Sequence, residues 1–363
     1  VITPMRAIHH ISRHFVLYAC LAYGISALVR VVEAILQDGP YWGIEADMMT
    51  QYFVNYPEHG FAKRALIGTL LRPVTGIVET PEAWVFWMMV AMNLLAFVAV
   101  LWLVQRYLAH RTGEGAETVS ILRGALAVGS LGVMQIAHDL GRLDNLNFAL
   151  MLGAVALVAR GRVLVAGVVS VMGVLVHEGF TVYAAPLVIA VGWHALRRDG
   201  EAGSVVARLV PLVAMIAAAS VAVLLYGNSE SAVDVAHGVG GYVWARGVVE
   251  YNPSLPLMDV AILVAYWLAL GAVLQVIYRS KGALDFLLIA ALCALALNFL
   301  GIDHARWVTL AFYLVLMIVA VQVQVFGMRL RDPGRWQRWA LYLLCLPLGP
   351  MGIISGFAWL PWP

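Results

Sequence analysis

VVARLVPLVAMIAAASVAVLLY, residues 205 to 226, carries a single charged side chain, Arg208. A bilayer core of about 30 Å is spanned by ~20 apolar helical residues. Lipid offers no partner to backbone N–H and C=O groups, so such a run crosses as a helix. The pattern recurs at about 14–36, 83–105, 120–138, 143–159, 162–177, 180–196, 257–278, 283–301, 307–327 and 338–357. The expected fold is all-α, a polytopic transmembrane helical bundle of about eleven spans, with residues 1–363 as a single integral membrane domain. The candidates at 143–159 and 162–177 are short enough to be tilted or re-entrant halves. They come as a pair, so demoting both leaves the sidedness of the rest unchanged.

Composition agrees: 62% of the residues are hydrophobic, 12% are charged and the mean hydropathy is +0.85, which excludes a water-soluble fold. Cys20, Cys293 and Cys345 all sit in apolar runs and read as packing residues rather than a disulfide framework or a zinc site. Arg6, His9, His10, Arg13 and His14 precede the first apolar run as the n-region of a signal peptide would. No small-residue cleavage signature follows, so a retained first helix is expected, with Met5 a candidate native start.

Sidedness follows from Lys and Arg in the short loops. With a cytoplasmic amino terminus, sixteen fall inside (Arg6, Arg13, Arg106, Arg111, Arg123, Arg160, Arg162, Arg197, Arg198, Arg208, Arg279, Lys281, Arg329, Arg331, Arg335, Arg338). Six fall outside (Lys63, Arg64, Arg72, Arg142, Arg246, Arg306), and Arg30 lies within the first span. The positive-inside bias assigns the amino terminus to the cytoplasm. Two outer-face loops, about 37–82 and 227–256, are then long, and loops of that length in a compact fold tend to be functional.

Fixing sidedness gathers the polar clusters at one boundary. GIEADMMTQYFVNYPEHGFAKRALIG, residues 43 to 68, brings Asp47, Glu58, His59, Lys63 and Arg64. The third span ends in His138-Asp139-Leu140-Gly141-Arg142-Leu143-Asp144, the fifth in His177-Glu178, and the ninth meets the tenth at Asp303-His304-Ala305-Arg306-Trp307. Ionisable groups near headgroup depth are costly unless paired or hydrated, so the cluster is a functional candidate. The bland reading stands beside it: interfacial caps and ion pairs, Arg142 neutralising Asp139 or Asp144, Trp307 a belt residue. His177-Glu178 is no zincin pair, because Thr181 stands where a second His would be needed. No metal site is assigned, and a divalent ion is left open. Walker, dinucleotide, nucleophile-elbow and haem motifs are absent from the sequence, and neither a nucleotide cofactor nor a nucleic-acid partner is expected.

The order of these features resembles the polytopic enzymes that build bacterial surface polysaccharides, the Wzy and EpsG-type polymerases and, more loosely, the GT-C glycosyltransferases. Three passages carry the likeness: Asp47 through Glu58-His59-Gly60-Phe61; Arg142-Leu143-Asp144-Asn145-Leu146-Asn147-Phe148, then Arg160-Gly161-Arg162, then His177; and Asp303, Arg306, Trp307 and Tyr313. The resemblance implies transfer of a sugar from a polyprenyl-(pyro)phosphate donor to a glycan acceptor at the outer face of a bacterial inner membrane. Asp47, His177, Glu178, Asp303 or His304 would take the acceptor proton. Arg64, Arg142 and Arg306 would hold the phosphate, and Glu58, His59, Asp139, Asp144 and Trp307 would bind substrate. Competing readings are a multi-pass transporter, a membrane acyltransferase and a non-catalytic subunit packed against membrane-protein partners.

Overall fold

The computed structural model describes residues 4–36, 51–109, 113–197, 202–227, 256–280, 304–352, 356–357 and 359. Fifteen helices occur among the described residues. They are α1 (Pro4–Arg13), α2 (Phe15–Leu36), α3 (Tyr56–His59), α4 (Ala65–Thr75), α5 (Pro81–Tyr107), α6 (Ala116–Val128), α7 (Val133–His138) and α8 (Leu143–Val158). After these come α9 (Val163–Val176), α10 (Phe180–Tyr183), α11 (Ala185–Arg197), α12 (Ala202–Tyr226), α13 (Leu257–Tyr278), α14 (His304–Gln324) and α15 (Arg335–Leu344). An isolated bridge pairs Met351 with Phe357.

Among the described residues seven helical stretches are long and apolar enough to cross a membrane: Phe15–Val32, Pro81–Tyr107, Ala116–His138, Phe180–Arg197, Gly203–Tyr226, Leu257–Tyr278 and His304–Gln324. The chain is therefore an all-helical membrane protein. Helices α8 and α9 are the expected short pair, apolar but below spanning length. A third short apolar helix, α4, was not expected and lies inside the segment read as an outer loop. The span expected at 283–301, most of the loop at 227–256, and Asp47 and Asp303 lie outside the described residues. The span expected at 338–357 differs: α15 stops at Leu344, and Pro347, Gly349 (φ 87°) and Pro350 follow within six residues. Proline cannot supply the next helical hydrogen bond, and the left-handed glycine turns the chain away.

Exposure along α2 shows why its apolar pattern suits lipid. Leu17, Leu21, Ile25, Leu28 and Val32 are all exposed, at spacings of three and four that draw one continuous stripe. The Ala116–His138 and His304–Gln324 stretches are instead buried almost throughout.

The chain divides into two compact units. One comprises the described parts of Val1–Arg30, Phe97–His138 and Trp244–Pro363. Within it α14 and the α6–α7 stretch form the centre, and the Tyr313 hydroxyl donates to the Gly132 carbonyl at 2.9 Å. Gln135 holds Met351 from both sides, donating to its carbonyl (3.2 Å) and accepting its N–H (2.7 Å). Arg123, 4% exposed, donates from Nε and Nη2 to the Ser12 carbonyl (3.1 and 2.9 Å) and from Nη1 to that of Leu108 (2.8 Å). These carbonyls stand at the ends of α1 and α5, where unpaired C=O groups carry partial negative charge. The guanidinium thus ties two helix ends together, with Phe15 stacked 5.0 Å beneath it.

The other unit comprises the described parts of Val31–Ala96 and Asp139–Val243. Helix α9 packs between α8 and α12, and α11 also lies against both. Helix α4 rests on α9 and carries α3. Gly68 makes the α4 packing possible, since a Cβ there would stand 2.0 Å from the Val54 carbonyl oxygen and 2.9 Å from that of Tyr52.

Candidate functional site

The centre of the second unit's polar cluster is a break in the chain between two apolar helices. Helix α9 ends at Val176, His177 turns extended (φ −158°, ψ 122°), and α10 opens at Phe180. The Phe180 ring folds back over Gly173, where an added Cβ would meet it at 2.4 Å, so the turn is tight. The Gly179 N–H donates to His177 Nδ1 at 3.0 Å. The Glu178 carboxylate approaches the same Nδ1 at 3.9 Å. Asn147, fully buried on α8, donates its amide N–H to the His177 carbonyl at 3.1 Å, while its own Oδ1 is buried with no hydrogen-bond partner.

Glu178 leaves this turn to meet Arg64, which directly precedes α4. Arg64 Nη2 donates to Oε1 at 2.8 Å and Nε to Oε2 at 3.2 Å, a bidentate pair across 114 positions of sequence. The side chains are 23% and 22% exposed, so the pair is sheltered yet reachable. Burial disfavours a charged Glu178, but the Arg64 guanidinium and its hydrogen bonds prevail and hold the carboxyl well below the usual carboxylate range. Among the described residues Arg64 is the one non-glycine with positive φ (63°). A left-handed L-residue costs about 1–2 kcal/mol. That cost is kept where the surroundings overdetermine the conformation.

Those surroundings are built by the Glu58-His59-Gly60 element. Asn55 caps α3 by accepting the Glu58 N–H (3.0 Å), and its amide donates to Glu58 Oε2 (2.8 Å). Arg72 of α4 donates to Glu58 Oε1 at 3.0 Å. Asn55 and Arg72 hold the exposed Glu58 carboxyl below its ordinary value. The Thr69 hydroxyl accepts the Tyr56 N–H and donates to the Ala65 carbonyl, fastening α3 to α4. His59 turns inward on its own helix, with Nδ1 3.2 Å from both the Asn55 N–H nitrogen and its carbonyl. Tyr56 and Phe61 stack at 5.6 Å.

A second anchor stands at the start of α8. Arg142 pairs with Asp139 at 3.3 Å, one of the two partners weighed from the sequence, and both side chains are only 12–13% exposed. The Tyr52 hydroxyl donates to the Gly141 carbonyl at 2.8 Å. Burial, with the Asp144 carboxylate second, pushes the Tyr52 phenol up, so it remains a donor. Asp144 is itself buried in the first turn of α8, and Asn145 donates to the Asp139 carbonyl.

Within this unit, then, two sets form: Arg64 with Glu178, beside His177 and Asn147, and Glu58 with Asn55 and Arg72 on α3 and α4. His304, Arg306 and Trp307 belong to the other unit, at the start of α14. There His304 and Trp307 are buried and the Arg306 guanidinium lies 4.7 Å over the Trp307 ring. Among the described residues no three His, Cys, Asp or Glu side chains converge as a metal site would require. Asn55, Arg72 and Asn147 were assigned no role from the sequence. The spacing of Asp144 and Asn147, one helical turn apart on an apolar helix, was the available signal for Asn147.

Compared with family models, curated proteins and solved structures, the chain matches none of them.

Proposed function

We propose that the protein is a membrane glycosyltransferase or polymerase that moves a sugar or oligosaccharide from a polyprenyl-(pyro)phosphate carrier to a glycan acceptor. It works at the outer face of a bacterial inner membrane, with its amino terminus in the cytoplasm and about eleven spans. The observation that carries this reading is the Arg64–Glu178 pair. It is a guanidinium fork and a carboxylate, each about a quarter exposed, at a helix break between apolar segments. Glycosyl transfer from a lipid phosphate needs a cation for the leaving phosphate, a proton acceptor for the attacking hydroxyl, and access from the bilayer.

In the proposed step the acceptor hydroxyl oxygen attacks the anomeric carbon and its proton passes to the Glu178 carboxylate. The bond from the anomeric carbon to phosphate oxygen breaks, and its electron pair leaves on the phosphate, held by Arg64 with Arg142 as a further cation. His177 is too deeply buried, and too committed through Nδ1, to be the first choice of base. Glu58, His59, Asp139 and Asp144 are kept as substrate-binding candidates; His304 and Trp307 belong to the other unit, and Asp47 and Asp303 lie outside the described residues.

The test is in cells of the source bacterium whose own copy is replaced by Glu178→Ala or Arg64→Ala. Surface glycan should fall by at least tenfold while the polyprenyl-linked donor accumulates and protein levels hold. Normal glycan in both variants removes the transferase. The interruption of the α9–α10 path beside buried Asn147 and His177 favours one second reading, a permease with a discontinuous helix. Substrate uptake by proteoliposomes without any glycan product would select it.

A further inference from the structure

We propose that Glu178 occupies, on Arg64, the place of a phosphate or pyrophosphate group, and that such an anion binds by displacing it. This rests on the transferase reading, in which Arg64 meets the carrier phosphate.

Guanidinium offers the same Nε and Nη edge to a carboxylate as to a phosphate, in two parallel N–H···O bonds. Glu178 takes that edge with both oxygens, leaving it no room for a second bidentate anion. The Arg64 side chain has little freedom to go elsewhere. Its backbone is locked left-handed, directly before α4, and α4 is pressed by Gly68 onto the 52–54 backbone. Glu178 can move, because it stands on a three-residue turn and is 22% exposed. The wall behind it cannot follow, since His177 is 3% and Asn147 0% exposed.

Accessibility separates this pair from the other two Arg–carboxylate pairs described in its unit. Arg142–Asp139 is a tighter-buried contact made within one turn of chain, and Arg72–Glu58 is about half exposed and therefore water-screened. Among the described ion pairs of this unit Arg64–Glu178 alone joins distant segments in a sheltered yet open position; Arg338–Glu117, likewise bidentate and distant in sequence, belongs to the other unit.

Displacement also gives the carboxylate two states. Paired, Glu178 is a poor proton acceptor, its charge satisfied by Arg64. With the anion on Arg64, the same carboxylate loses its cation and lies beside the phosphate, where the attacking hydroxyl must arrive. A like charge nearby favours proton uptake. The base would be released by the arrival of the substrate that needs it.

The experiment uses the full chain in lipid nanodiscs with two probes, inorganic pyrophosphate and geranyl pyrophosphate, and measures affinity by calorimetry. Glu178→Gln removes the competing charge and should bind either probe about tenfold more tightly than the parent chain, which the attraction of a unit charge a few ångströms away in a partly screened site allows. Arg64→Gln, alone or with Glu178→Gln, should abolish the gain. Geranyl pyrophosphate binding tighter than pyrophosphate marks a lipid-borne ligand, and equal binding marks free phosphate. Unchanged or weaker binding by Glu178→Gln, or a gain that survives Arg64→Gln, overturns the proposal. If Glu178→Gln does not fold, Glu178→Asp, one methylene too short for both bonds, carries the same expectation and the same refutation. The two readings fail separately. Tighter binding with normal glycan in cells retires the transferase and keeps displacement, whereas lost glycan without tighter binding does the reverse.

Discussion

A double-mutant cycle on Arg64 and Glu178, built from Arg64→Gln, Glu178→Gln and the double substitution, measures the contact on which the site rests. Charges about 4 Å apart at an effective dielectric near 20 attract by roughly 4 kcal/mol before solvation is counted. Exposed pairs yield ~0.2–1 kcal/mol, whereas breaking a buried one costs ~3–5. With side chains 23% and 22% exposed and two hydrogen bonds in place, the pair falls between these limits. A coupling of about 2 kcal/mol is expected. Each single variant strands one sheltered charge and should cost about 2–3 kcal/mol, while the double variant should cost little more than either. Glutamine at 64 keeps the left-handed backbone cost, so strain cancels within the cycle. The assay is reversible unfolding in mixed detergent micelles, followed by circular dichroism at neutral pH. Additive losses, with coupling under about 0.5 kcal/mol, would show that the two groups do not meet.

The same assay checks three further expectations. Gly68→Ala should destabilise by at least about 2 kcal/mol or abolish folded yield, because the new methyl would overlap the Val54 carbonyl; a neutral result would mean that α4 does not lie on 52–54. Arg123→Ala should cost about 3 kcal/mol by stranding the Ser12 and Leu108 carbonyls, and Arg123→Lys should recover only part of it, since an ammonium cannot copy the fork. Recovery in full by lysine would refute the two-helix clamp. Acid should unfold the protein partly through Glu178: its folded carboxyl is held below the ordinary 4.5, so the unfolded chain takes up its proton first as pH falls. Its contribution is full above about pH 4.5 and is lost as pH falls through the folded value, so Glu178→Gln should flatten that acid limb. An unchanged limb would remove the pairing as its source.

The helical membrane architecture was legible because composition and span length act locally. A run such as 257–278 has one way to satisfy its backbone in lipid, and α13 covers Leu257–Tyr278. The far end was misread at 338–357, where hydropathy alone outweighed Pro347 and Pro350, residues whose missing N–H ends a helix whatever their neighbours. Helix α4 was hidden by Arg72 and Pro73, which make it look like loop. For the site, residue types were readable and partners were not. Arg64 could have met any outer acid, and Arg142 either of two neighbours. The choice of Glu178 for Arg64 depends on Gly68 letting α4 approach, a contact that leaves no periodicity in the sequence. Asn147 escaped because a polar residue on an apolar helix shows its purpose only when the carbonyl above it, that of His177, is located.

The membrane side of this site decides between transfer at the outer surface and any cytoplasmic role. In a background with all three cysteines replaced, Glu79→Cys, exposed in the turn after α4, and Arg335→Cys, exposed at the start of α15, are treated in intact spheroplasts with a membrane-impermeant maleimide. Cysteine at 79 should label at once, and cysteine at 335 only after the membrane is opened. Labelling at 335 in sealed cells, with 79 protected until lysis, would place Arg64 and Glu178 on the cytoplasmic side and contradict the account.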